Sequence, residues 1–114
     1  MEMDRLPEAK IAELKARHKD LSEMAFSFTG DDEKEVSGAL YCRKPQKPHI
    51  DKLMKDVAAK PGKAMMNLVL SVLVHPAPDV FRALCEKYPG LSATIGGELT
   101  EDLGFGADVI RKKL

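Results

Sequence analysis

The sequence has no tryptophan and few aromatic residues, and its only cysteines, Cys42 and Cys85, lie far apart. Neither cysteine is part of a Cys-x-x-Cys pair or of a cysteine and histidine spacing, so the sequence indicates no disulfide scaffold and no zinc ribbon. We therefore expect two reduced thiols in a cytoplasmic protein that holds no metal and no other cofactor.

Net charge is also absent, because 18 Lys and Arg residues balance 18 Asp and Glu residues. A neutral chain has no overall field to attract nucleic acid or an anionic membrane. The longest apolar run, residues 64–74, has about half of the roughly 20 residues that a membrane-spanning helix needs. The first residues lack the charged-then-apolar layout of a signal peptide. We expect neither a nucleic acid partner nor a membrane association.

The length and composition of the chain are typical of one folded domain. A chain of 114 residues that is 44% hydrophobic and 32% charged can build both a core and a polar surface. We therefore expect a single domain over residues 1–114.

The first part of the chain changes its hydrophobic period. Ile11 and Leu14 belong to an apolar stripe at helical spacing, which predicts an amphipathic helix over residues 7–19. Met24, Phe26 and Phe28 then alternate with small or polar residues, as in a strand. An acidic, glycine-containing turn follows near residues 30–34, and a second extended run completes a predicted β-hairpin over residues 23–44.

The rest of the chain has helical patterning over residues 49–104. Residues 64–74 are apolar around nearly the whole circumference, which predicts a buried central helix, although Val72 and Val74 alone would allow a buried strand. Gly96 and Gly97 interrupt the last helix, which is therefore either weak or closely packed. We expect residues 105–114 to be mobile.

Together these patterns predict an α+β fold. We expect a mainly helical domain of about four to five helices with one N-terminal antiparallel β-hairpin packed on the helices. A two-stranded hairpin is marginal alone, so its Phe26 and Phe28 face needs a cover from this chain or from a partner.

Catalytic patterns are missing from the sequence. His18, His49 and His75 belong to no metal-binding or nucleophile motif, and the glycines match no phosphate-binding loop. We expect no enzymatic activity. A small enzyme whose site assembles in space from Cys42, Cys85 and His49 remains an alternative hypothesis.

The chain resembles small phage and prophage tail assembly chaperones in the order of its elements. A charged helix precedes a hairpin whose second strand ends in Tyr41, Cys42, Arg43, Lys44 and Pro45, and helices follow. The matching positions are Tyr41, Arg43, Lys44 and Pro45. The acidic Gly-Gly-Asp-Glu-like segment of the family is absent, and residues 76–79 stand in its place.

The resemblance implies a non-enzymatic protein of the bacterial host cytoplasm that binds the tape-measure protein, the tail-tube protein or both during tail assembly. It also implies self-association, so a homo-oligomer is possible. We expect partner contacts at the hairpin, at its basic exit and at the end of the chain, through Phe26, Phe28, Tyr41, Arg43, Lys44, Phe105, Val109 and Ile110. A small cytoplasmic adaptor or regulatory protein-binding module is the alternative function.

Overall fold

The computed structural model describes residues 3–114, and within this range it contains five α-helices and one antiparallel sheet. The elements in chain order are α1 (Glu8–Arg17), β1 (Ser22–Thr29), β2 (Glu35–Cys42), α2 (Lys47–Val57), α3 (Pro61–Val72), β3 (Leu73–His75), α4 (Pro78–Lys87) and α5 (Gly90–Thr100). A π-helical turn, Glu101–Phe105, follows α5. The predicted α+β class and the predominance of helices are confirmed.

The sheet differs from the predicted lone N-terminal hairpin. β1 and β2 pair antiparallel as expected and follow α1, the helix predicted over residues 7–19, so the hairpin is not N-terminal. β3 adds a third strand that was not predicted, in the order β1-β2-β3. β3 pairs with the end of β2, where Tyr41 lies opposite His75. Short apolar runs fit a buried helix and a buried strand equally well, so the pairing partner decides between them. The predicted helix therefore ends at Val72, and residues 73–75 form a strand.

One face of the sheet packs on the helices. Leu40 and Cys42 of β2 are fully buried there, and Met24, Phe26 and Phe28 of β1 pack on the same core. The alternation along both strands places these side chains on one face, because successive side chains of a strand point to opposite faces. The core also contains Met3, Val69, Val72, Phe81, Cys85, Leu91, Ile95 and Leu99.

Residues at the start of the described chain form hydrogen bonds with β2. The backbone N–H of Ala39 donates to the carbonyl oxygen of Met3 at 2.6 Å. The N–H of Leu6 donates to the hydroxyl oxygen of Tyr41 at 3.0 Å. Ala39 and Tyr41 are buried as well, although they point to the face opposite Leu40 and Cys42.

Helices α3 and α5 approach each other closely at Gly96. A Cβ atom on Gly96 would lie 2.5 Å from Cε of Met65, whereas a Cβ atom on Gly97 would meet nothing within 4 Å. The glycine pair therefore has two different roles. Gly96 is a packing position between the two helices, and Gly97 lies on the outer side of α5.

Helix α1 and the end of the chain contain no buried residue. Gly104 has a φ of +95°, which turns the chain at the end of the π-helical turn, and residues 107–114 have no regular secondary structure. The radius of gyration is 15.7 Å, whereas a compact chain of this length would have about 13 Å. The predicted mobility of residues 105–114 stays a prediction.

We predict that Gly97→Ala raises the free energy of unfolding by about 0.5–1 kcal/mol, because alanine favours the helix and open space surrounds the new methyl group. Gly96→Leu should lower the same free energy, since the longer side chain cannot share the position with Met65. Urea unfolding followed by circular dichroism measures both changes. A stabilising Gly96→Leu would show that α3 and α5 do not pack as described.

Candidate protein-binding site

β1 is an edge strand, with β2 on one side only. Ala39 donates its N–H away from β1, so Ala39 and its cross-strand partner Ala25 form a pair without mutual hydrogen bonds. Pairs with and without mutual hydrogen bonds alternate along the strand, so every second residue of β1 resembles Ala25. Glu23, Ala25, Ser27 and Thr29 therefore direct their backbone N–H and C=O groups outward from the sheet. Such an edge can pair with another strand.

An apolar depression, which we call the edge groove, lies beside this edge. Phe26, Ser27 and Phe28 form one wall, and Tyr88, Leu91 and Thr94 are among the residues of the opposite wall, in a volume of about 430 Å³. Three consecutive β1 residues line the groove and no β2 residue does so. The groove therefore runs along the open side of β1, between this strand and the start of α5.

Aromatic contacts shape the edge groove. The rings of Phe26 and Phe28 lie 6.3 Å apart with an interplanar angle of 28°. Phe28 meets Tyr88 edge to face, with ring centroids 4.9 Å apart. The structure thus brings two predicted contact residues together, both partly buried. Tyr88 was missing from the predicted contacts, because its place in the apolar stripe of α4 is equally typical of a core residue.

Tyr41 has a different position from the one predicted. Its side chain is fully buried, its hydroxyl group donates to Oε1 of Glu23 at 2.6 Å, and its hydroxyl oxygen accepts the N–H of Leu6. Burial and the hydrogen bond to Glu23 raise the pKa of Tyr41 above its ordinary value. Tyr41 is therefore a structural link between the sheet and the segment before α1, and it offers no accessible surface to a partner.

Arg43 and Lys44 are exposed and lie beside the end of α1. Together with Arg17 and Lys19 they form what we call the basic patch, around a depression of about 360 Å³ that Asp20 and His18 also line. The guanidinium group of Arg43 donates to the carbonyl oxygen of Ser71 at 3.0 Å, and Arg17 forms an ion pair with Glu13. The sequence shows two separate basic segments, and only the fold joins them.

The remaining predicted contacts lie near the end of the chain. Phe105, Val109 and Ile110 are 50%, 83% and 96% exposed. Among the described residues, the lining of the edge groove includes none of these three. Leu103, just before them, lies beside Ser22 at the start of β1.

The side chains proposed for the alternative enzyme do not form an activated site. Both cysteines are buried in the main core, and burial raises the pKa of the Cys42 thiol to about 12 and that of Cys85 to about 11. A nucleophilic cysteine needs the opposite shift. Nδ1 of His49 accepts the backbone N–H of Gln46 as part of the cap of α2. Residues 3–114 contain no group of His, Cys, Asp or Glu side chains that could hold a metal ion.

The arrangement defines an α+β protein with an exposed sheet edge above an apolar groove, and it has no helix within residues 3–114 of the length and apolarity that a membrane span requires. Residues 14–112 match the family described as "Domain of unknown function (DUF6848)", and the chain belongs to this family.

A solved structure supports the same fold. The chain is similar to an uncharacterised protein, rbstp2171, from Bacillus stearothermophilus, with a TM-score of 0.74 and 26% sequence identity. The similarity covers 90% of this chain and 99% of the other. No curated protein matches the chain.

We predict that neither Cys42 nor Cys85 reacts with a thiol reagent at about pH 8 while the protein is folded, because both thiols are buried and remain protonated there. Absorbance of the released chromophore measures the reaction, and the chain unfolded in guanidinium chloride is the control that should show two reactive thiols. A thiol that reacts rapidly in the folded protein would revive the enzyme hypothesis.

Tyr41→Phe should lower the free energy of unfolding by about 1–3 kcal/mol, because it leaves the N–H of Leu6 without its acceptor and leaves Glu23 with only its ion pair to Arg5. Thermal or urea unfolding measures the loss. Tyr88→Phe is the matched control, since Tyr88 is only partly buried, and it should change stability less. Equal effects of the two substitutions would contradict the structural role of Tyr41.

Proposed function

We propose that this protein is a non-enzymatic, tail-assembly-chaperone-like protein of a phage or prophage, which binds a segment of the tape-measure or tail-tube protein in the host cytoplasm. The observation that carries the proposal is the open edge of β1 above the apolar edge groove. The resemblance around Tyr41, Arg43, Lys44 and Pro45 supports the choice of partner.

Strand addition is the binding mode that this geometry favours. The outward N–H and C=O groups of β1 can pair with the backbone of an extended segment, which gives affinity without a fixed partner sequence. Alternate side chains of that segment then point into the groove against Phe26, Phe28 and Tyr88. A chaperone needs this combination, because it must hold an apolar partner before that partner reaches its assembled form.

The basic patch adds a preference for acidic partners. Lys19 and Lys44 are exposed cations at the end of the sheet where β1 begins, and Arg17 and Arg43 lie with them. Acidic side chains of a partner would pair with these cations while the partner's backbone lies along β1. Exposed ion pairs contribute little affinity each, so we assign the patch mainly to orientation and association rate.

The chemistry of the buried groups supports a binding role over a catalytic one. Cys42 and Cys85 have raised thiol pKa values, and His49 is engaged at the start of α2. A chaperone that only binds its partner does not need a reactive cysteine or histidine. The alternative adaptor function would use the same edge groove on a different cellular partner, and the identity of the bound protein separates the two.

Ser27→Pro tests the proposed binding mode. Proline removes an N–H that points outward from β1 and leaves the hydrogen bonds between β1 and β2 intact, which an edge strand tolerates. We predict that it weakens the complex with the co-expressed tape-measure or tail-tube protein by about tenfold or more, roughly the contribution of one hydrogen bond. Titration by calorimetry measures the affinity.

Ser27→Ala is the matched control. It also removes the hydroxyl group that donates to Glu35 at 2.6 Å, but it keeps the outward N–H. The alanine variant should therefore bind like the unchanged protein, and circular dichroism verifies that both variants fold. Equal binding by the proline variant would contradict strand addition. Failure of the unchanged protein to bind either tail protein would contradict the assembly function.

A further inference from the structure

We infer that residues 107–114, which we call the tail segment, bind the edge groove of a second copy of this chain as a strand parallel to β1. Reciprocal exchange of the two tail segments then produces a homodimer. The inference rests on exposure, length and charge, and it holds with or without the proposed assembly function.

The tail segment exposes large apolar side chains. Val109 is 83% exposed, Ile110 is 96% exposed, and Leu114 is fully exposed. The segment has no regular secondary structure, so its backbone groups are available to a neighbouring strand. An exposed group of this kind marks an interaction site. The edge groove supplies what the segment lacks, namely a backbone partner and an apolar surface.

The tail segment is long enough to pair with β1. β1 has eight residues, and the tail segment covers residues 107–114. At about 3.3 Å per residue, each spans roughly 26 Å when extended. The tail segment is therefore long enough to pair with β1 from Ala25 to Thr29 and to reach the hairpin turn. Either Val109 or Ile110 would then point into the groove, since neighbouring side chains of a strand face opposite sides.

Charge determines the direction of the added strand. The tail segment carries Arg111, Lys112 and Lys113 in its second half, while the hairpin turn after β1 carries Asp31, Asp32 and Glu33. In a parallel arrangement that places Ile110 beside Phe28, Lys113 lies beside Asp31. The hydrogen bond with Tyr88 is the main cause of the raised pKa of Lys87, and Asp31 and Asp32 raise it further. The acidic turn therefore attracts cations at this end of the groove, although Lys87 offsets part of its charge.

The opposite direction is less favourable. An antiparallel tail segment would bring its cations to the start of β1, where Arg43 and Lys44 lie. Asp20, Glu98 and Asp102 share that end, but Arg17 and Lys19 of the basic patch lie there as well, so cations outnumber carboxylates by four to three. The same antiparallel arrangement would bring Asp108 toward the acidic turn. Both ends of the tail segment therefore favour the parallel direction.

A second copy is the occupant that the structure favours. Each chain leaves its own tail segment exposed and its own groove open. Two copies that exchange these segments fill both grooves in one closed, twofold-symmetric assembly. Exchange also covers both open sheet edges, which would otherwise favour uncontrolled edge-to-edge pairing.

Light scattering coupled to size exclusion tests the inference on the full chain, without any partner, at concentrations up to about 100 µM, because a dimer population depends on protomer concentration. We expect a dimer for the full chain and a monomer for a chain that ends at Gly106. The double variant Val109→Ser and Ile110→Ser should also be monomeric, which separates the apolar contact from any effect of truncation.

A charge exchange tests the direction. Lys112→Glu with Lys113→Glu should weaken dimerisation by about tenfold, as expected for the loss of a few exposed ion pairs. Adding Asp31→Lys and Asp32→Lys to the same chain should restore it. A monomeric full chain, including one whose tail segment binds its own groove, would overturn the inference. A dimer that survives removal of the tail segment, or a charge exchange without rescue, would overturn it as well.

Discussion

The burial of residues 39–42 of β2 on both faces is the constraint on which the rest of the structure depends. Leu40 and Cys42 pack on the helices, while Ala39 and Tyr41 are buried on the opposite face and form hydrogen bonds with Met3 and Leu6. A strand that is buried on both sides must have its backbone groups paired, because an unpaired buried amide is costly. β1, β3 and the segment before α1 supply these partners.

Because the outer edge of β2 is covered, the exposed edge of the sheet is the outer edge of β1. The outer side of β2 is occupied by Met3 at Ala39, by β3 at Tyr41, and by the carbonyl oxygen of Val72, which accepts the N–H of Arg43 at 2.9 Å. β1 has no such cover among the described residues, and the aromatic side chains that stabilise it also form the wall of the edge groove. The same packing therefore produces both the stability of the hairpin and its binding surface.

The hydrophobic periodicity predicted a helix or a strand correctly where the sequence fits only one of the two periods. The alternation of Met24, Phe26 and Phe28 predicted the hairpin, and the helical spacing of Ile11 and Leu14 predicted α1, because each pattern fits a single period. It did not predict β3, since residues 73–75 are apolar in either conformation and only their pairing with Tyr41 and Cys42 selects the strand.

The candidate site was harder to predict from the sequence than the fold. Phe26 and Phe28 could be identified, but Tyr41 has the same local signature as a surface aromatic residue and is buried only through tertiary contacts. The groove wall at Tyr88 and the joining of Arg17 with Arg43 depend on how α1, α4 and α5 lie against the sheet. No local pattern contains that information.

Amide hydrogen exchange along β1, followed by NMR in dilute protein without a partner, is the most direct test of the open edge. The account predicts an alternation: the amides of Glu23, Ala25, Ser27 and Thr29 exchange rapidly, while those of Met24, Phe26 and Phe28, which pair with β2, are protected. Uniform protection along the strand would show that the edge is already covered, and it would contradict the account.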